Sequence, residues 1–149
     1  MVARSLMAAA ALSVLATAAL SASAQPQARP ALDFDFFRVR VEPIFLQKRE
    51  GHARCYTCHA ESNNALHLEK LTAGQIAWDR EQSHRNFETV AKLVNPGDAA
   101  TSRLLLHPLA PEGGGDVFHS GGRQFASKDD PAWKTLAQWV AGEKLPPGP

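Results

Sequence analysis

Both cysteines of the 149-residue chain lie in one five-residue stretch, Cys55-Tyr56-Thr57-Cys58-His59, and no other feature restricts the fold so sharply. At about 100° of rotation per helical residue, positions 55, 58 and 59 share roughly a quarter of a helix circumference. A helix here turns two thiols and one imidazole towards a single ligand. A shorter or longer gap between the cysteines spoils that convergence.

The spacing is C-x-x-C-H, the attachment sequence for a covalently bound c-type haem: the thiols add across two vinyl groups as thioethers, and the imidazole supplies one axial bond to iron. Residues 55–59 resemble those of monohaem c-type cytochromes. The resemblance implies a mainly α fold, a small cytochrome c-like helical domain wrapped around one covalent haem c, exchanging single electrons with redox partner proteins. Two other chemistries use such a pair. A redox disulfide of thioredoxin type sits beside a β-α-β pattern, which is not found here. A zinc site needs four ligands, a count that Cys55, Cys58, His59 and a remote histidine could satisfy.

Residues 1–24 have the form of a secretory signal, with Arg4 in a short leading region, an apolar run from position 6 to 20, and Ala22-Ser23-Ala24 as the cleavage pattern. The run is shorter than the ~20 residues a spanning helix needs, so a soluble exported chain starting near Gln25 is expected. Export suits the motif, since the cytochrome resemblance implies haem attachment outside the bacterial cytoplasm, in a periplasmic or secreted protein. Without Arg4 the charges balance at 15 basic and 15 acidic residues, which lacks the basic excess of a nucleic-acid-binding surface. About 125 remaining residues suffice for one domain and not two.

Residues 25–32, with two prolines and no periodicity, read as a flexible segment, and residues 33–143 as the domain. In residues 34–41, Phe37, Val39 and Val41 alternate with Arg38 and Arg40, which predicts an extended segment. Pro43 is placed to open a short helix that Gly51 ends. In small c-type cytochromes a helix before the motif packs against the terminal helix, and the Pro43 segment is the candidate. Thr72 and Gln75 have capping-box separation, predicting a helix from Ala73, with a break before a stretch in which Phe87, Val90, Ala91 and Val94 keep helical spacing. Asn95-Pro96-Gly97-Asp98 is a stop and turn, and Ser102 precedes a short apolar helix that ends at Pro108. Residues 111–122 are glycine-rich and irregular, able to bring backbone close to a flat ligand. Asp130 and Pro131 start the clearest helix, with Trp133, Leu136, Ala137 and Val140 on one face and Gly142 as its stop. Trp133 and Trp139 cannot both centre that face, so one reaches towards the haem edge or the amino-terminal helix. Residues 144–149 read as a loose tail.

Many monohaem c-type cytochromes fill the second axial position with a Met just ahead of the terminal Trp-containing helix. Here the only methionines are Met1 and Met7, inside the signal-like segment. Histidine is the replacement. His119, in Phe118-His119-Ser120-Gly121-Gly122, stands where the family's ligand loop lies; His107, before Pro108, is the alternative. His52 is tied to the side of His59, while His67 and His84 read as solvated or locally bonded. The order of haem motif, Pro-Gly turn, Ser-Arg-Leu-Leu helix, His-Ser-Gly-Gly loop and Trp139-Val140 helix resembles bacterial monohaem cytochrome domains over about residues 40–143. Arg103 and Arg123 are candidates to pair with haem propionates, although surface arginines also have this pattern. His59 and His119 together predict a low-spin iron and an electron carrier rather than an enzyme. An open or labile distal position instead predicts a gas sensor or peroxidase-like protein.

Overall fold

The structure, a computed structural model, describes residues 28–146. It is mainly helical, as the sequence predicts, and among the described residues extended pairing is limited to isolated bridges. The signal-like segment, residues 25–27 of the following linker and residues 147–149 of the tail lie outside the described residues. No helix among them is long and apolar enough to cross a membrane.

The chain enters through a continuous helical run: α1 at Phe34–Phe36, a π-helical turn at Phe37–Val41, and α2 at Glu42–Leu46. This corrects the extended reading of residues 34–41. The alternation was deceptive because Phe36, Phe37, Val41, Ile44 and Phe45 are all buried, which is helical spacing, while Val39 is 49% exposed. Asp33 starts the run by accepting a hydrogen bond from the Phe36 N–H at 2.6 Å. Pro43 sits in the first turn of the short helix α2, as expected, but that helix continues directly from the π turn, where the Glu42 N–H reaches back to the Phe37 carbonyl. A proline ring presses on the carbonyl four residues before it, and a widened turn gives that carbonyl room. The run ends at Leu46 rather than Gly51, because Gln47 is already extended. Gly51, at φ 73°, instead makes the tight turn that bridges Arg49 and His52.

The motif forms α3, Cys55–His59. The helix expected from Ala73 is absent: Thr72 and Gln75 bond to each other around a turn in which Gly74 takes φ 88°. A stronger capping box lies further on, where the Asp79 carboxylate accepts from the Gln82 N–H and the Gln82 amide oxygen accepts from the Asp79 N–H. It starts α4, Arg80–Ala91, so the pattern at Phe87, Val90 and Ala91 falls on one unbroken helix. The Asn95–Asp98 turn closes at 2.8 Å, and Gly97 N–H donates to the Val140 carbonyl at 2.7 Å, docking the turn on the end of the last helix. The short helix α5 is Arg103–Leu106, and His107 ends it.

Helix α6, Pro131–Val140, starts at Asp130, whose carboxylate accepts from the Ala132 and Trp133 N–H groups. Both of its tryptophans are buried on different neighbours. Trp139 packs at 5.2 Å from Phe37 and 5.9 Å from Phe87 and donates its indole N–H to the Asp33 carbonyl. Trp133 donates to the Leu105 carbonyl. The terminal helix is thus packed on the amino-terminal run, through Phe37 and Asp33 upstream of the Pro43 segment expected as its partner, and neither indole lines the cleft of the motif. The core sits between these two elements and α4. The cleft in front of α3 lies to one side of it, lined by Ile44 and Phe45 of α2 and Leu136 of α6.

Candidate haem-binding cleft

Helix α3 turns Cys55, Cys58 and His59 into one cleft of about 370 Å3, whose apolar wall includes Ile44, Phe45, Leu104 and Leu136. Both thiols are free. Burial pushes the Cys55 thiol above its ordinary range, against a smaller opposing pull from the backbone and Arg49. A disulfide oxidoreductase requires the reverse, a thiol made acidic by its surroundings.

His59 is held by the chain that follows it. Its Nδ1 lies 2.8 Å from the Leu66 carbonyl and 3.2 Å from Asn64 Oδ1, both acceptors, so Nδ1 carries the proton and Nε2 is the free lone pair. The Leu68 N–H donates to the His59 carbonyl, and Leu68 is fully buried, which ties this loop to the core. Such outer contacts are what orient an imidazole ligand.

His119 enters the same cleft from the opposite side, on the glycine-rich loop. Its Nδ1 is 2.5 Å from the Gly122 carbonyl, which again leaves Nε2 free. Burial lowers its pKa, against the pull of that carbonyl, while His107, His59 and Arg123 lower it further; a neutral imidazole is the ligating form. A Cβ on Gly121 would stand 3.1 Å from His119 Cε1, so a side chain there would crowd the ring.

The His59 and His119 ring centres are 6.3 Å apart with 12° between their planes. An ion bound by both Nε2 atoms, with bonds of about 2.0 Å and about 1.1 Å from nitrogen to ring centre, places the centres about 6.2 Å apart. The residues present fit a haem group: His59 and His119 could hold its metal, and Cys55 and Cys58 line the same cleft. Among the described residues no group of three or more His, Cys, Asp or Glu side chains is placed to hold a metal ion, whereas tetrahedral zinc takes four such ligands.

His107 also lines the cleft, but its ring meets His119 at 4.9 Å and 74° and is bonded through Nδ1 to Asp116. His52 sits in the Arg49 turn, His67 bonds the Ser62 carbonyl, and His84 stacks on Phe34 at 3.7 Å. Of the two arginines expected near a haem, Arg103 lines the cleft, and Arg123 donates to the His107 carbonyl. Arg54, beside the motif, lines it too. Sequence reading missed Asn64, Arg54 and Asp116. Polar side chains next to proposed ligands were the available signal for all three, whereas the Leu66 carbonyl, being backbone, has none.

Known protein families, curated proteins and solved structures provide no match to this chain.

Proposed function

We propose that the chain is an exported, periplasmic electron-transfer protein that holds one haem c through Cys55, Cys58, His59 and His119. One observation carries the reading: the His59 and His119 rings stand parallel at 6.3 Å across a cleft that both motif cysteines also line. A haem bound there supplies a one-electron couple at its iron. Cys55 and Cys58 hold the group at its edge. His59 and His119, each with Nδ1 occupied by a carbonyl, offer Nε2 from opposite faces. Ile44, Phe45 and Leu136 keep water from the buried edge, and Arg54 and Arg103 supply cations for its two carboxylates. With an imidazole offered from each side of the cleft, the chain would leave a bound haem no position for a substrate, and the protein would carry electrons to and from redox partner proteins rather than act as an enzyme. Two imidazoles in place of a thioether favour a lower potential than Met ligation does.

Optical spectra of the purified protein, oxidised and reduced, test this. A low-spin bis-imidazole spectrum is expected, lost in His119→Ala and kept in His107→Ala. A high-spin ferric spectrum of the unmodified protein overturns the ligand pair. Colourless protein with both thiols open to alkylation, from a host competent in cytochrome maturation, overturns the whole reading.

A second reading, a gas sensor or peroxidase-like protein, is favoured by the fact that, among the described residues, the hydrogen bond of the His119 ring lies within its own loop. Carbon monoxide separates the two: no binding to the reduced protein at equilibrium supports the carrier, and rapid binding supports the labile distal site.

A further inference from the structure

We propose that His107, braced by Asp116, is a positioning residue that sets the plane of the His119 ring; the inference rests on the bis-imidazole reading above. The loop carrying His119 stands on the end of α5. On its leading side the Asp116 N–H donates to the Leu106 carbonyl at 3.0 Å. On its trailing side Arg123 donates to the His107 carbonyl at 3.3 Å and the Gln124 N–H to the Pro108 carbonyl at 2.9 Å. Both feet of the loop therefore rest on residues 106–108. A Cβ on Gly115 would fall 2.0 Å from the Leu109 carbonyl oxygen, so the leading foot approaches as closely as only glycine permits.

Within this frame the His119 ring has one hydrogen bond, to Gly122 of its own loop, which constrains one ring atom and leaves tilt open. The ring that meets it edge to face is His107, at 4.9 Å and 74°. His107 is in turn held by the Asp116 carboxylate, 2.9 Å from Nδ1. The contact is thus made by a side chain that is itself anchored at one ring nitrogen to the foot of the same loop. His59 is oriented by a separate device, the Leu66 carbonyl, and yet the two ring planes differ by only 12°. Two devices on distant segments impose one alignment.

The angle between axial imidazole planes controls how the iron d orbitals split, and electron paramagnetic resonance of the ferric protein reads it without any activity assay. The holoprotein is expected to give the rhombic low-spin signal of near-parallel planes. In His107→Ala the optical spectrum should remain low-spin while the largest g value rises or spreads over several orientations. Asp116→Asn should shift it in the same direction by less, and His107→Phe, which keeps an edge-to-face ring, should restore most of the original signal. Unchanged g values in His107→Ala and Asp116→Asn overturn the positioning role and leave the ligand pair standing. A holoprotein lacking a bis-imidazole signal, or His107→Ala turning high-spin, overturns it by removing its premise. If His107→Ala does not fold, Asp116→Asn and His107→Phe decide by the same criterion.

Discussion

The two sides of the cleft are built on different plans. On the His59 side, the imidazole, both cysteines and the orienting carbonyl fall within a short stretch of chain that is tied to the core. Leu68 is fully buried there, Tyr56 packs on Trp78, and the Leu71 N–H donates to the Tyr56 hydroxyl. On the His119 side the imidazole hangs from a loop whose tip is open, with Val117 89% and Phe118 69% exposed. One side is positioned by packing, which resists displacement because the interior is dense. The other is positioned by loop closure over a few hydrogen bonds, each worth about 0.5–1.5 kcal/mol net. Two side chains stitch the sides together: the Gln124 amide reaches both the Ala53 and Gly121 carbonyls, and Arg49 pairs with Asp130 while lying over the Phe125 ring. The difference teaches which half of the site is expected to yield first.

Removing the two proposed anchors tests the packed side most severely. Cys55→Ser with Cys58→Ser is expected to abolish covalent attachment, so that acidified organic solvent extracts all of the pigment; retained colour would break the comparison at its base. Next in size, Trp139→Ala should cost about 3–5 kcal/mol of stability in denaturant titrations, because a fully buried indole joins α6 to the amino-terminal run. Loss of the low-spin spectrum should then coincide with loss of helix, since the cleft shares its walls with that core. Gly121→Ala acts on the loop alone. Its Cβ crowds His119 at a cost of about 1–3 kcal/mol, read as carbon monoxide binding to the reduced protein with the pigment still covalently held. Failure of that variant to bind carbon monoxide would show the loop to be as rigid as α3.

The smallest effect concerns the core beneath the cleft. Glu42 is 4% exposed, accepts from the Ser83 hydroxyl at 2.8 Å, and has its second oxygen unpartnered. Burial pushes its carboxyl up, more than Ser83, Asn86 and the Arg38 charge pull it down. The folded state thus holds its proton to higher pH than the unfolded chain. Glu42 makes stability greatest below the unfolded value of 4.5 and erodes it as pH rises from there through the folded value. Glu42→Gln should flatten that decline in denaturation midpoints measured across the mildly acid to neutral range, with the cleft spectrum unchanged. A decline as steep as that of the unmodified protein would assign it to another group.

Local signals were legible where one residue type has one use. Asp130-Pro131 start α6 because a carboxylate caps free N–H groups and proline needs none. Helix α3 appears where C-x-x-C-H requires it. Residues 34–41 were misread because a π turn shifts the register and lets a helix imitate alternation. The Thr72-Gln75 pair closes a turn and no helix, since Gly74 takes a left-handed conformation between them and Asp79 caps a better one seven residues on.

Sequence alone determined which atoms this chain can offer a ligand: two thiols and an imidazole on one turn, further imidazoles elsewhere, and no methionine after Met7. Tertiary structure decided which distant imidazole faces His59 and which one braces it. That choice depends on backbone carbonyls at Leu66 and Gly122 and on how loop feet land on α5. Carbonyls are the same at every position, so where they point is settled only when the chain has packed.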